Sequence, residues 1–355
     1  MRKARYYFKI LFVFVIGIYS LSQESLIAQD LHYSQHIYNS LYYNPAFTGL
    51  ISNRVRLTAS YADRYRQAYG KDGMQTIFGS ADFQIPIVRN NINYRGFGAG
   101  VYFYNHTVGQ NAISDNVASV LFSYRMGLGK DNKHMLSVGF NGNYVSRKYG
   151  YNSLQFGNQY DGFDYNSSIL SGENINTESR SKVDAGLGLL YTFNPNKKIN
   201  GYLGTSVFHL IPDKDEVNGI ESKLRYNVHA GVEFHFNQLS LQPSLLLDIQ
   251  NQAMELYTGI QLKYQIASSQ EGNTALFIGP YVRNYQSPVS NFNIYTFNLV
   301  GGIEFNDLEI VIATDNTMGK AKDTFSNFNG IELGLTYQIG HVKNQSGRIY
   351  CPTFR

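Results

Sequence analysis

Residues 253–266 read AMELYTGIQLKYQI. In an extended chain Met254, Leu256, Ile260, Leu262, Tyr264 and Ile266 fall on one side, interrupted by Thr258, while Glu255, Tyr257, Gln261, Lys263 and Gln265 fall on the other. A period of two is the mark of a β-strand with one apolar and one polar environment. The same alternation recurs at 239–250, where Leu241, Leu245, Leu247 and Ile249 oppose Gln242, Ser244, Asp248 and Gln250. It recurs at 329–339, where Ile331, Leu333, Leu335, Tyr337 and Ile339 oppose Glu332, Thr336 and Gln338. Near the front of the chain Val55, Leu57, Ala59 and Tyr61 oppose Arg54, Arg56, Thr58 and Ser60.

Alternation alone suits a soluble sandwich as well as a membrane barrel. Length separates them: many of these runs span 10–13 residues, longer than the ~5–6 of globular strands and close to the ~9–11 that cross a bilayer at a tilt. The connections also fall into two sets. Residues 127–133, 194–199, 237–238, 267–274 and 306–307 are short and rich in turn formers, whereas 63–73, 147–181, 211–224 and 316–328 are long. Short turns on one side and long loops on the other are the habit of outer-membrane barrels. The expectation is an all-β, closed, antiparallel transmembrane β-barrel of about 14 strands over residues 53–339. Pro86 belongs at a strand end and Pro243 in a local bulge, because proline cannot donate to a ladder.

The chain has 355 residues, 29 Tyr, 23 Phe and only 16% charged residues, a balance that suits aromatic girdles at two membrane interfaces. Residues 1–28 read as a signal peptide: Arg2, Lys3, Arg5 and Lys9 precede an apolar run from Ile10 to Leu21, and Ala28 stands before the expected cut. No cysteine lies at that cut, which argues against a lipoprotein. No other stretch is long and apolar enough for a transmembrane helix, which argues against a helical inner-membrane protein. After removal of 1–28 the chain keeps 26 basic and 25 acidic residues, so nothing points to nucleic acid. Cys351 is the single cysteine and forms no internal disulfide. Residues 29–52 show no clean strand and carry Tyr38, Leu41, Tyr42, Tyr43 and Phe47, which need burial. They are expected to plug the lumen or to reach into the periplasm, and 340–355 to form a periplasmic tail.

No catalytic, cofactor or metal site is expected. His32 and His36 could share a helix face, and His229, Glu233 and His235 share a strand face, but neither set has the spacing of a metal site. Asp161-Gly162-Phe163-Asp164 lacks the closing ligand of a calcium loop. Gly96, Gly98, Gly186 and Gly188 lie within strand patterns, where they permit tight packing rather than nucleotide binding. No serine-hydrolase elbow or zinc-protease helix is present. The long loop offers Tyr149, Tyr151, Phe156, Tyr160, Phe163 and Tyr165 among small polar residues, a composition suited either to recognition of a protein partner or to folding over the barrel mouth.

The stretch Gln29-Asp30, Ser34-Gln35, Asn39, Asn44-Pro45-Ala46-Phe47 and Gly49 resembles the opening of mature PorP/SprF proteins, a family of type IX secretion. Arg64 to Tyr69 is similar to an aromatic patch of that family, and Gln242-Pro243-Ser244 to one of its strands. Cys351-Pro352-Thr353-Phe354 is similar to its C-terminal ending. Tyr69 replaces a frequent tryptophan and Thr353 a frequent arginine. The resemblance implies a non-enzymatic barrel in outer-membrane lipid that works with type IX machinery components. It also implies support for export or surface attachment of a cargo or adhesin, as in gliding. The alternative is a transport channel for small or hydrophobic solutes, and an outer-membrane enzyme is a remote third.

Overall fold

The computed structural model describes residues 30–66, 73–88, 95–109, 112–129, 133–150, 157–166, 168–169, 178–196, 198–212, 214–215, 220–221, 223–268, 273–287, 290–319 and 328–340. Two short pieces open it, a one-turn helix α1 (Ser40–Tyr43) and a 3-10 turn at Pro45–Phe47. The strands follow: β1 (Val55–Arg64), β2 (Met74–Val88), β3 (Arg95–Val108), β4 (Ile113–Leu128), β5 (His134–Tyr149), β6 (Glu178–Asn196) and β7 (Ile199–Phe208). A small hairpin, β8 (Lys214–Asp215) and β9 (Ile220–Glu221), precedes β10 (Arg225–Phe236), β11 (Leu239–Gln250), β12 (Ala253–Ser268), β13 (Asn273–Ser287), β14 (Ser290–Phe305), β15 (Leu308–Thr317) and β16 (Phe328–Ile339).

Each large strand pairs antiparallel with its neighbours in sequence, β7 with β10 across the small hairpin, and β1 closes on β16 from Val55↔Ile339 to Arg64↔Gly330. The result is a closed barrel of 14 strands, as the alternation and strand lengths predict. Closure is what a bilayer requires, since an open edge would leave backbone donors unpaired in hydrocarbon. Among the described residues no helix is long and apolar enough to cross a membrane.

The two faces separate as expected. Along β12, Glu255, Tyr257 and Gln261 are buried inward while Leu262, Tyr264 and Ile266 are exposed outward. Phe122, Ile278 and Ile312 continue the outer apolar wall on other strands. Residues 65–73, 150–177, 209–224 and 318–327 all connect strands at one mouth. The two-residue turns after β10 and β14 lie at the other mouth, where β1 begins and β16 ends. Asn237 and Asn306 take those turns at φ 55° and 56°, a left-handed conformation that asparagine tolerates.

Two details differ from expectation. Pro243 makes no bulge: β10 and β11 keep one register from Gly231↔Ser244 to Phe234↔Leu241, and the ladder omits the pairs between them. The missing donor is absorbed without inserting a residue. Tyr149 is not in the loop: β5 runs on to Tyr149, which pairs with Ile113 and Glu178 and is buried. Pro86 does sit near the end of β2, beside a register shift.

Candidate functional site: the occupied lumen

The segment from Asp30 to Ile51 is buried against the inner wall of the barrel, with Tyr33, Leu41, Tyr42, Tyr43, Ala46 and Phe47 forming one cluster with inward wall residues. Tyr33 stands edge-on to Phe78, Tyr38 stacks on Phe277, and Phe47 lies against Tyr202 and His229. The space that remains among His36, Tyr43, Phe47, Tyr202 and His229 is a cavity of only about 10 Å³, room for about one water.

Most polar residues of the opening motif dock on a wall residue. The Asp30 carboxylate meets His209 at 2.6 Å and Arg225 at 3.3 Å, and its backbone N–H donates to Gln250. Ser34 donates from its backbone to Glu332 and from Oγ to Asp315 at 2.5 Å. Gln35 donates from N and Nε2 to the Glu332 carboxylate and carbonyl. Asn39 accepts from Ser60. The Asn44 amide donates to the carbonyls of Leu189 and Thr205 and lies 2.9 Å from His229 Nε2, while its oxygen accepts from Ala46 N. That last bond caps the 3-10 turn, whose first residue is Pro45, a position where proline's missing donor costs nothing.

Gly49 donates to Asp82, which also takes a two-pronged pair from Arg56. Its φ of +66° and the closeness of the Phe83 carbonyl, 2.7 Å from where a Cβ would stand, explain glycine there. On the wall, a Cβ at Gly98, Gly139 or Gly188 would overlap Thr48, Pro45 and Ala46, or Asn44 respectively. Gly98, Gly139 and Gly188 are thus where the segment touches the wall, whereas Gly186 makes room for Phe208 and Asn141.

Electrostatics favour the docked state at the end nearest Asp30. Burial opposes a charge on His209, but Asp30 and Asp184 more than offset it, and the imidazole is pushed up to about 9. Burial alone would raise the Asp30 carboxyl, yet His209, Arg225 and Gln250 hold it well below the usual carboxylate range.

The remaining sequence candidates disperse. His32 approaches Glu255 while His36 packs edge-on to Tyr257 and Tyr281, so the pair shares no ligand position. His229, Glu233 and His235 do face inward; Glu233 and His235 lie 3.4 Å apart and also bond Gln242 and Asn200, while His229 stands apart against Asn44. In the long loop, Tyr160 and Tyr165 bridge and pack ring to ring at 5.4 Å, and the Asp161 carboxylate accepts from Phe163 N and Asp164 N. This small turn holds Phe163 96% exposed. Tyr151, Phe156, Gln29 and the tail residues Cys351, Pro352 and Phe354 lie outside the described residues.

A family model described as type IX secretion system membrane protein PorP/SprF matches residues 25–337. The chain belongs to the PorP/SprF family. The match takes in the N-terminal segment and almost the whole barrel, so segment and wall are one family unit, and membership implies association with the type IX secretion machinery. No curated protein matches the chain in sequence. Among solved structures, this PorP/SprF barrel is similar to a Pseudomonas aeruginosa FadL homologue, with 12% identity and a TM-score of 0.47, covering 85% of this chain and 93% of that one. It is also similar to the TodX monoaromatic hydrocarbon channel deltaS2 mutant, with 11% identity and a TM-score of 0.48, covering 84% and 93%. For the β domain of the Bordetella autotransporter BrkA the values are 8% and 0.41, covering 81% and 100%.

Sequence reasoning missed the wall partners, Asp82, Asp184, His209, Arg225, Asp315 and Glu332. Their signal was a charged residue at or beside an inward position of a strand, which is also the signal of ordinary lumen polarity.

Proposed function

We propose that this chain is a non-enzymatic outer-membrane subunit of type IX secretion that supports export or surface attachment of a large secreted protein such as a gliding adhesin. Its lumen is sealed by residues 29–52 acting as a plug, residues 1–28 are removed on export, and residues 340–355 form a periplasmic tail. The mouth with long loops faces the cell surface, where the turn that presents Phe163 contacts the cargo. One observation carries this reading: the opening motif spends its polar groups on the barrel wall, so the lumen is occupied by the chain itself. A solute channel would need that space open. An exposed aromatic on a pre-ordered turn suits a protein contact, because little side-chain or loop freedom is lost on binding.

Deletion of the gene tests it. Surface display of a cargo bearing a type IX C-terminal signal should be lost while permeability to small solutes is unchanged. Normal display in the deletion strain refutes the reading, and loss of solute uptake in its place favours the channel.

A further inference from the structure

The N-terminal segment has a direction. Asp30 meets His209 just past the end of β7, Arg225 at the start of β10 and Gln250 at the end of β11, all at the mouth with the long connections. Ser34 and Gln35 meet Asp315 and Glu332 one step inside that mouth. Asn44 reaches Leu189, Thr205 and His229 further down, and Gly49 reaches Asp82 lower still. Asn53 donates to Asp307 in the turn between β14 and β15, at the opposite mouth. The segment therefore crosses the whole lumen and runs antiparallel to β1, which climbs back from the turn mouth.

We propose that the start of the mature chain is held at the long-loop mouth by an Asp30 latch, so that the N-terminus is presented on the same face as the long loops and the segment releases from that end first. This deepens the plug reading and rests on it. The wall is built to allow such a release. Without Asp30, Arg225 keeps Asp248 and His209 keeps Asp184; on the neighbouring strands at the same level Arg283 keeps Glu255, and near the turn mouth Arg56 keeps Asp82. Residues 30–52 bring a single formal charge, Asp30. Undocking it into water at the mouth leaves no buried cation alone, which is the costly outcome. Beyond Asp30 the segment is fastened by the hydrogen bonds of Ser34, Gln35, Asn44 and Gly49 and by the apolar burial of Tyr33, Leu41, Tyr43 and Phe47, and its far end is covalently continuous with β1. Release proceeds from the latch, and the body is the last to leave.

Single cysteines in a Cys351→Ser background test this with a membrane-impermeant maleimide, applied to intact cells and again after outer-membrane permeabilisation. His32→Cys is the probe, since the His32 side chain is 28% exposed; Phe163→Cys marks the loop mouth and Asn306→Cys the turn mouth. His32→Cys should label in step with Phe163→Cys. Labelling in step with Asn306→Cys, or no labelling on either side, overturns the proposal. An inverted barrel would exchange the two controls without affecting the comparison. Heat-modifiable migration reports folding for each variant, and Leu31→Cys serves if His32→Cys does not assemble. Asp30→Asn should raise the labelling rate at position 32 several-fold, and Asn53→Ala at the far anchor should leave it unchanged. An unchanged rate with Asp30→Asn, or an equal rise with both, overturns the order of release. Normal cargo display in the deletion strain would refute the secretion role and leave the labelling pattern standing, so the two failures are distinguishable.

Discussion

Gly139→Ala tests the proposed seal separately from the barrel. Gly139 lies on the inner face of β5, paired with Ser123 and Gly188, and an added methyl would overlap the Pro45 carbonyl and Ala46 nitrogen of the segment. Alanine is acceptable to the strand itself, so the collision falls on the segment. Forcing one methyl into a packed interior costs about 1–3 kcal/mol. Applied to the equilibrium between a seated and a displaced segment, that is roughly a 5- to 150-fold shift toward the displaced form. Gly142→Ala is the control, because a Cβ there meets only Val120 and Phe140 at 3.9 and 4.0 Å. Purified barrels in planar bilayers should show a rise in open-channel time for Gly139→Ala and none for Gly142→Ala. Limited proteolysis of residues 30–52 should speed up in the same variant. If both variants fold fully and neither measurement separates them, the lumen is not sealed by this contact and the plug reading fails.

Asn44→Ala removes the cap of the 3-10 turn and the amide bonds to Leu189, Thr205 and His229; docking should weaken by about 2–4 kcal/mol, read as faster amide exchange in residues 40–48 with the barrel strands unchanged. His209 has a folded pKa above its unfolded value, so its contribution is complete below the usual histidine range and is lost as the pH rises through about 9; protection of the amides of residues 30–34, corrected for the intrinsic base-catalysed rise in exchange rate, should fall across that window, and His209→Gln should abolish that fall. Asp30 works in the opposite sense, its contribution present above the usual carboxylate range and lost in strong acid. Ile312→Arg places a charge on the outer wall where Ile312 is 47% exposed; a loss of about 2–4 kcal/mol is expected in lipid, seen as poor membrane assembly, and normal assembly would argue against a lipid-facing surface there. Phe163→Ala should leave heat-modifiable folding intact and reduce capture of the secreted cargo, and undiminished capture would remove the loop from the contact.

The barrel was legible because a lipid-facing sheet imposes a period of two on every strand, and residues 253–266 and 329–339 display it without tertiary knowledge. Strand length and the grouping of long and short connections then favoured a closed barrel over a sandwich. At Pro243 the missing donor is accommodated by omitting ladder pairs and not by a bulge, a choice that local sequence does not display. β5 continues pairing through Tyr149, past the point where the loop's composition begins.

The opening motif and its need for burial are legible in the sequence, but its docking partners are not. Asn44 touches Leu189, Thr205 and His229 across separations of 145 to 185 residues, and Ser34 touches Asp315 across 281. Local pattern reports which face of a strand is polar, since alternation is a property of neighbours in the chain. Which polar group meets which, and that glycines on β3, β5 and β6 make room for Asn44 through Thr48, follows only when the closed sheet brings distant strands around one segment.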